Sequence, residues 1–230
     1  ILRYWAKRGV DGFRCDMTEL VPPAFWAWCL PRLKAEFPDL LFLAEIYQPY
    51  RYGEYLRAGF DYLYDKVGLY DYLIALGKGQ ARAEYFTAVR DAVGALQPQM
   101  CYFMENHDEQ RLASDFVYRS ARRGWLASAV TALSGTNPFL LYFGQELGEA
   151  GMDEEGFSGR DGRTTIFDYW SLDKLQRLEA VDYAVDKLED EEASLLADYR
   201  QLAPLYTLPE VSEGGYYGLI PLGQDAEEVI

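Results

Sequence analysis

Short apolar runs alternate along this chain with longer stretches in which apolar residues recur every three or four positions. That alternation is the sequence form of repeated βα units around a parallel sheet. Four runs have strand length, Val10–Cys15, Leu40–Ala44, Met100–Met104 and Phe139–Phe143, and a weaker fifth lies near Phe60–Leu63. Each strand run gives way to polar or charged residues.

Between the first two strands, Ala24–Phe37 carries Phe25, Cys29 and Leu33 four residues apart, which predicts a helix with that stripe against the sheet and a kink at Pro31. Gly124–Leu133 reads as a buried helix. Val185–Leu202 reads as an amphipathic one through Leu188, Leu195, Leu196, Tyr199 and Leu202, with the acidic patch Glu189–Glu192 as a solvated face. Glu149–Arg163 is rich in Gly and acidic residues without apolar periodicity and is expected to be a long surface loop. No internal repeat interrupts this order. From Glu213 the Gly- and Tyr-containing tail changes character, so residues 1–205 read as one main domain and 206–230 as a linker or the start of a following β domain.

Half of the 230 residues are apolar, enough to bury a substantial core. The net charge of −15 would repel a phosphate backbone or an anionic membrane surface, so nucleic-acid and membrane partners are not expected. No apolar stretch approaches the roughly 18–20 residues that span a bilayer, and the chain is expected to be soluble. Cys15, Cys29 and Cys101 lack metal-ligand spacing and predict buried free thiols. The 19 Tyr, 12 Phe and five Trp are mostly core, with rings to spare for stacking on sugars.

The candidate chemistry lies where strands end. Gly12, Arg14 and Asp16 alternate with Phe13, Cys15 and Met17, so Arg14 and Asp16 share one face of the first strand. A cation beside a carboxylate keeps it ionised, as a nucleophile requires, although a structural ion pair has the same signature. Glu45 follows five apolar residues, and partial burial there would suit a general acid. The third strand ends in Glu105-Asn106-His107-Asp108, with the only histidine of the chain. Strands of a parallel barrel deliver their carboxyl ends to one pocket, so three acids at three strand ends point to a shared site.

Gly12-Phe13-Arg14-Cys15-Asp16, Leu43-Ala44-Glu45-Ile46, Asn106-His107-Asp108 and the run from Gly135 through Pro138, Tyr142 and Gly144 to Glu146 resemble, in order and spacing, the successive signatures of the alpha-amylase family. The resemblance covers residues 1–205. It implies a (β/α)8 barrel of which this chain carries about strands four to eight, beginning in the helix before strand four and lacking the N-terminal half of the barrel as its partner. By position, Asp16 matches the family's nucleophile, Glu45 its general acid/base and Asp108 its third carboxylate, while Arg14 and His107 match residues that hold the nucleophile and the bound sugar. The implied reaction is retaining cleavage of alpha-glucosidic bonds in starch-like glucans or malto-oligosaccharides by double displacement.

The chain departs from many family amylases at Glu19 and Leu20, where they carry Lys and His, so acceptor contacts and a calcium site do not carry over. No cofactor and no metal is expected. The stretch Pro23-Ala24-Phe25-Trp26-Ala27-Trp28, followed by Phe42-Leu43-Ala44-Glu45, is also similar to the maltosyl-transferring branch, which makes a maltosyl or glucosyl transferase the alternative. A metal-dependent barrel enzyme with a Mg²⁺ site and an inactive glucan-binding homologue are the remaining readings.

Overall fold

The structure is a computed structural model and describes residues 1–153, 159–167, 171–180, 182–184, 187–205 and 207–216. After a short helix, α1 (Leu2–Ala6), the chain lays down β1 (Gly12–Cys15), α2 (Pro23–Glu36), β2 (Leu41–Ala44), α3 (Tyr52–Ala58), β3 (Tyr62–Tyr64), α4 (Asp71–Gly77), α5 (Phe86–Asp91), β4 (Met100–Phe103), α6 (Ala121–Leu133) and β5 (Phe139–Leu140). The strands pair in chain order and every pairing is parallel. Gly12 lies opposite Leu41, Leu43 opposite Tyr62, Tyr64 opposite Cys101 and Phe103 opposite Leu140. Parallel neighbours need crossovers, and the intervening helices supply them. The result is five consecutive βα units of a (β/α)8 barrel. Among the described residues β1 and β5 each have one strand neighbour.

Alternation along the strands divides the sheet into a helix side and an inner side. On the helix side Phe13 stacks on Phe42 at 5.7 Å, Phe42 meets Phe60 edge-on, and Trp26 of α2 closes on Phe60 at 5.0 Å. On the inner side Arg14 lies over the Tyr64 ring, Tyr64 packs on Phe103 at 4.9 Å, and Phe103 stacks on Tyr70. The core-facing stripe of α2 is Trp26, Leu30 and Leu33, not Phe25, Cys29 and Leu33; Phe25 is exposed and Cys29 half-buried. Both stripes have helical spacing, and the chain's apolar residues nearly encircle this helix, so periodicity could not choose between them. The helix runs unbroken through Pro31. Cys15 and Cys101 are buried free thiols, as expected.

The weak fifth strand is real. It is β3, two residues later than expected and wedged between β2 and β4. The run Phe139–Phe143 is a strand only over Phe139–Leu140, because the Gln145 side chain takes the Tyr142 N–H and Gly144, at φ 82°, opens a tight turn. Leu141 and Phe143 are exposed. Helix α6 starts three residues early under a Ser120 cap.

Next come α7 (Asp173–Ala180), α8 (Asp190–Leu205) and α9 (Pro209–Ser212). Helix α8 begins later than the expected Val185, which lies outside the described residues. Its acidic patch is not wholly solvated, since Glu192 is buried, accepts from Arg177 at 2.6 Å and caps the Glu189 N–H at the helix start. The described residues of 149–163 form no helix or strand, yet Glu149 and Gly151 are buried. Most of the expected β-domain segment, 217–230, lies outside the described residues, and 209–212 are helical. Among the described residues no helix is long and apolar enough to cross a membrane.

Candidate active site

The carboxyl ends of β1, β2 and β4 bring Asp16, Glu45 and Asp108 around one guanidinium. Beyond Cys15 the chain leaves the sheet at once. Met17 adopts a left-handed conformation (φ 44°, ψ 42°), and the Thr18 hydroxyl folds back to the Cys15 carbonyl at 2.7 Å. Asp16 is thereby left projecting, its side chain 72% exposed. Glu45 extends the β2 ladder by one residue, its N–H donating to the Cys15 carbonyl, and its side chain is only 5% exposed. Asp108 is set by a turn in which the Asn106 side-chain oxygen accepts the N–H groups of Asp108 and Glu109, both at 2.9 Å.

Arg14 binds all three acids. Its Nη1 lies 2.5 Å from Asp16 Oδ1, and its Nη2 lies 2.9 Å from Glu45 Oε1 and 3.5 Å from Asp108 Oδ2. Burial works against the charge on Arg14, but the bond to Asp16 and the proximity of Glu45 outweigh it and raise its pKa above the ordinary value. His107 Nε2 is 3.1 Å from Asp108 Oδ2. Glu45 also accepts from the Met17 N–H at 2.7 Å and from the Tyr47 hydroxyl at 2.6 Å. The cluster therefore holds three carboxylates against one guanidinium, a surplus of acid at the mouth of the sheet.

All five residues singled out in the sequence, Arg14, Asp16, Glu45, His107 and Asp108, meet here. Burial of Glu45 was expected; its three donors were not. Sequence reasoning missed Asn106 as the residue that fixes Asp108, the Met17 backbone N–H, and Tyr47. The available signal was spacing alone, since Tyr47 lies two residues past Glu45 and falls on the same side of an extended segment. Glu105 took a different path. It turns away from the cluster into a buried pair with Arg111 at 2.6 Å. Among the described residues no group of three or more His, Cys, Asp or Glu is arranged to hold a metal ion, and the centre of the acid trio is filled by Arg14.

A parallel barrel that converges three carboxylates at its strand ends defines a class, the barrel enzymes that work through side-chain acids. No family model matches the chain. The alpha-amylase MalA of Haloarcula japonica is 33% identical over 154 residues, covering 66% of this chain and 22% of that protein. The alpha-1,4-glucan:maltose-1-phosphate maltosyltransferase of Pseudomonas aeruginosa is 28% identical over 147 residues, 64% of this chain and 21% of that protein. Among solved structures, the cyclic alpha-maltosyl-(1→6)-maltose hydrolase of Arthrobacter globiformis superposes with a TM-score of 0.66 at 19% identity, over 92% of this chain and 44% of that one, a likeness of fold. The chain is thus similar in sequence to enzymes of the alpha-amylase family and in fold to part of their catalytic barrel. It spans about a fifth of the length of these two curated relatives.

Proposed function

We propose that the chain supplies the catalytic residues for retaining cleavage of alpha-glucosidic bonds in starch-like glucans or malto-oligosaccharides. The observation that carries this reading is the sharing of Arg14 by Asp16, Glu45 and Asp108. Two acids bound to the two terminal nitrogens of one guanidinium are close neighbours, compatible with the roughly 5 Å separation that double displacement needs. Asp16, exposed and oriented by Arg14, attacks the anomeric carbon. Glu45 protonates the departing oxygen, and then takes a proton from the incoming hydroxyl that opens the glycosyl-enzyme. Asp108 stabilises the positive charge that develops on the sugar ring, and His107 beside it donates to ring hydroxyls.

Transfer is the second reading, favoured by the maltosyltransferase relatives, whose names specify maltose 1-phosphate as a substrate. The same three acids serve either outcome, because only the acceptor differs. The test is to incubate the natural protein with malto-oligosaccharides, with and without inorganic phosphate, and to follow products by proton NMR. Release of alpha-configured reducing ends supports hydrolysis; maltose 1-phosphate formed only with phosphate supports transfer. Beta-configured first products would overturn the retaining mechanism. Glu45→Gln should lower kcat/KM on natural glucans by about 10²–10⁴-fold and kcat/KM on substrates with activated leaving groups far less, because their departure does not need the proton. Equal losses on both would remove Glu45 from the acid role.

A further inference from the structure

In the proposed reaction Glu45 carries a proton at one step and has lost it at the next, and its neighbours differ in whether they can accommodate that proton. Oε2 accepts the Met17 N–H at 2.7 Å. Oε1 faces Arg14 Nη2 at 2.9 Å and the Tyr47 hydroxyl at 2.6 Å. An amide N–H and a guanidinium can only donate, whereas a tyrosine hydroxyl donates or accepts by turning about its C–O bond. A proton on Oε2 would point at another hydrogen. A proton on Oε1 has one receiving partner among these three groups.

We propose that Tyr47 is a positioning residue for the acid/base, holding the Glu45 proton on Oε1 until the glycosidic oxygen takes its place. This rests on the role given to Glu45 above. In the ionised state the hydroxyl donates to Oε1; when Glu45 takes up a proton, the hydroxyl turns and accepts it. During cleavage the proton passes from Oε1 to the leaving oxygen, which also receives the electron pair of the broken C–O bond, while an Asp16 oxygen bonds to the anomeric carbon. Tyr47 keeps its own proton throughout. Burial, and then the adjacent Glu45 carboxylate, push its hydroxyl far above the ordinary tyrosine range.

The charged and titratable groups around the pair come from three strand ends. Arg14 of β1 faces Glu45 directly. Tyr64 of β3 lies beneath Arg14. Asp108 and Glu109, beyond β4, act on Tyr47 through their charge. Arg14 and the Met17 N–H remain in any Tyr47 variant, so loss of the hydroxyl isolates its own contribution.

The test is Tyr47→Phe in the natural protein. It is read as kcat/KM on malto-oligosaccharides, whose leaving oxygen needs the Glu45 proton, beside kcat/KM on glycosides with activated leaving groups, which do not need it. Loss of the hydroxyl should lower the first by about 10-fold and leave the second and the thermal melt unchanged. Equal losses on both substrates overturn the proposal, as does an unchanged kcat/KM on malto-oligosaccharides. Wild-type protein without glycosidase or transferase activity would defeat the proposed reaction, and with it the positioning role of Tyr47.

Discussion

Two guanidinium groups sit among carboxylates at the carboxyl ends of this sheet, and they are built in opposite ways. Arg111 is fully buried, faces one acid, Glu105, and spends its remaining donors on the Thr164 hydroxyl and the Phe143 carbonyl. The second Glu105 oxygen takes the Leu112 N–H at 2.7 Å, so that centre is closed and balanced. Arg14 keeps 20% of its side chain exposed, is shared by three acids, and has an Nε without a partner. A satisfied, dry pair has nothing left to offer a ligand; an open cluster with more acids than cations does. The difference separates a clamp that holds the loop after β4 from a site poised for chemistry, although the residue types are the same.

The largest effect should come from breaking the open centre. Asp16→Asn removes only the proposed nucleophile, so turnover on malto-oligosaccharides should fall by on the order of 10³-fold or more while the melt stays close to wild type. Wild-type-like turnover would end the assignment. Arg111→Met should behave in the reverse way. It strands a buried carboxylate and should cost about 3–5 kcal/mol in denaturant unfolding, with part of the loss recovered in Arg111→Met/Glu105→Gln. A double variant no more stable than the single one would mean that Arg111 acts through packing alone.

Asp65, just past β3, tests the intermediate case of a buried acid beside neither guanidinium. Burial pushes its carboxyl up from 3.8 to about 6, held back by the backbone N–H groups of Leu69 and Gly68. Its folded pKa lies above its unfolded one, so the folded state binds the extra proton. Stability should therefore fall as pH rises from 3.8 to about 6, with the penalty complete above that window. Asp65→Asn should flatten that part of the stability curve, and an identical pH dependence in the variant would count against it. The smallest effect belongs to the exposed pair of Arg3 and Glu36, 2.5 Å apart at the surface. Arg3→Ala should leave both melting temperature and turnover unchanged, because solvent screens such pairs. A clear loss of stability would show that exposure is a poor guide to which of these pairs matter.

The sequence by itself determined the βα rhythm, the parallel sheet and the five residues of the cluster, because strand ends are marked by abrupt changes from apolar to polar residues and the family signatures fall on those changes. Arg14 and Asp16 could be placed on one face from alternation alone, since a pleated strand has period two. Which stripe of α2 faces the core was decided only in three dimensions, where Phe60 and Phe42 offer a surface that Trp26 fills. The different fates of Glu105 and Asp108, three residues apart in one polar run, were also tertiary. Asn106 turns the backbone between them, and Arg111, brought in from the far side of the loop, draws Glu105 inward and leaves Asp108 to Arg14. The pairing of Glu45 with Tyr47 was decided the same way. A hydrogen bond depends on the direction of two side chains at an irregular strand end, and that direction is set by what packs around them, not by the order of residues along the chain.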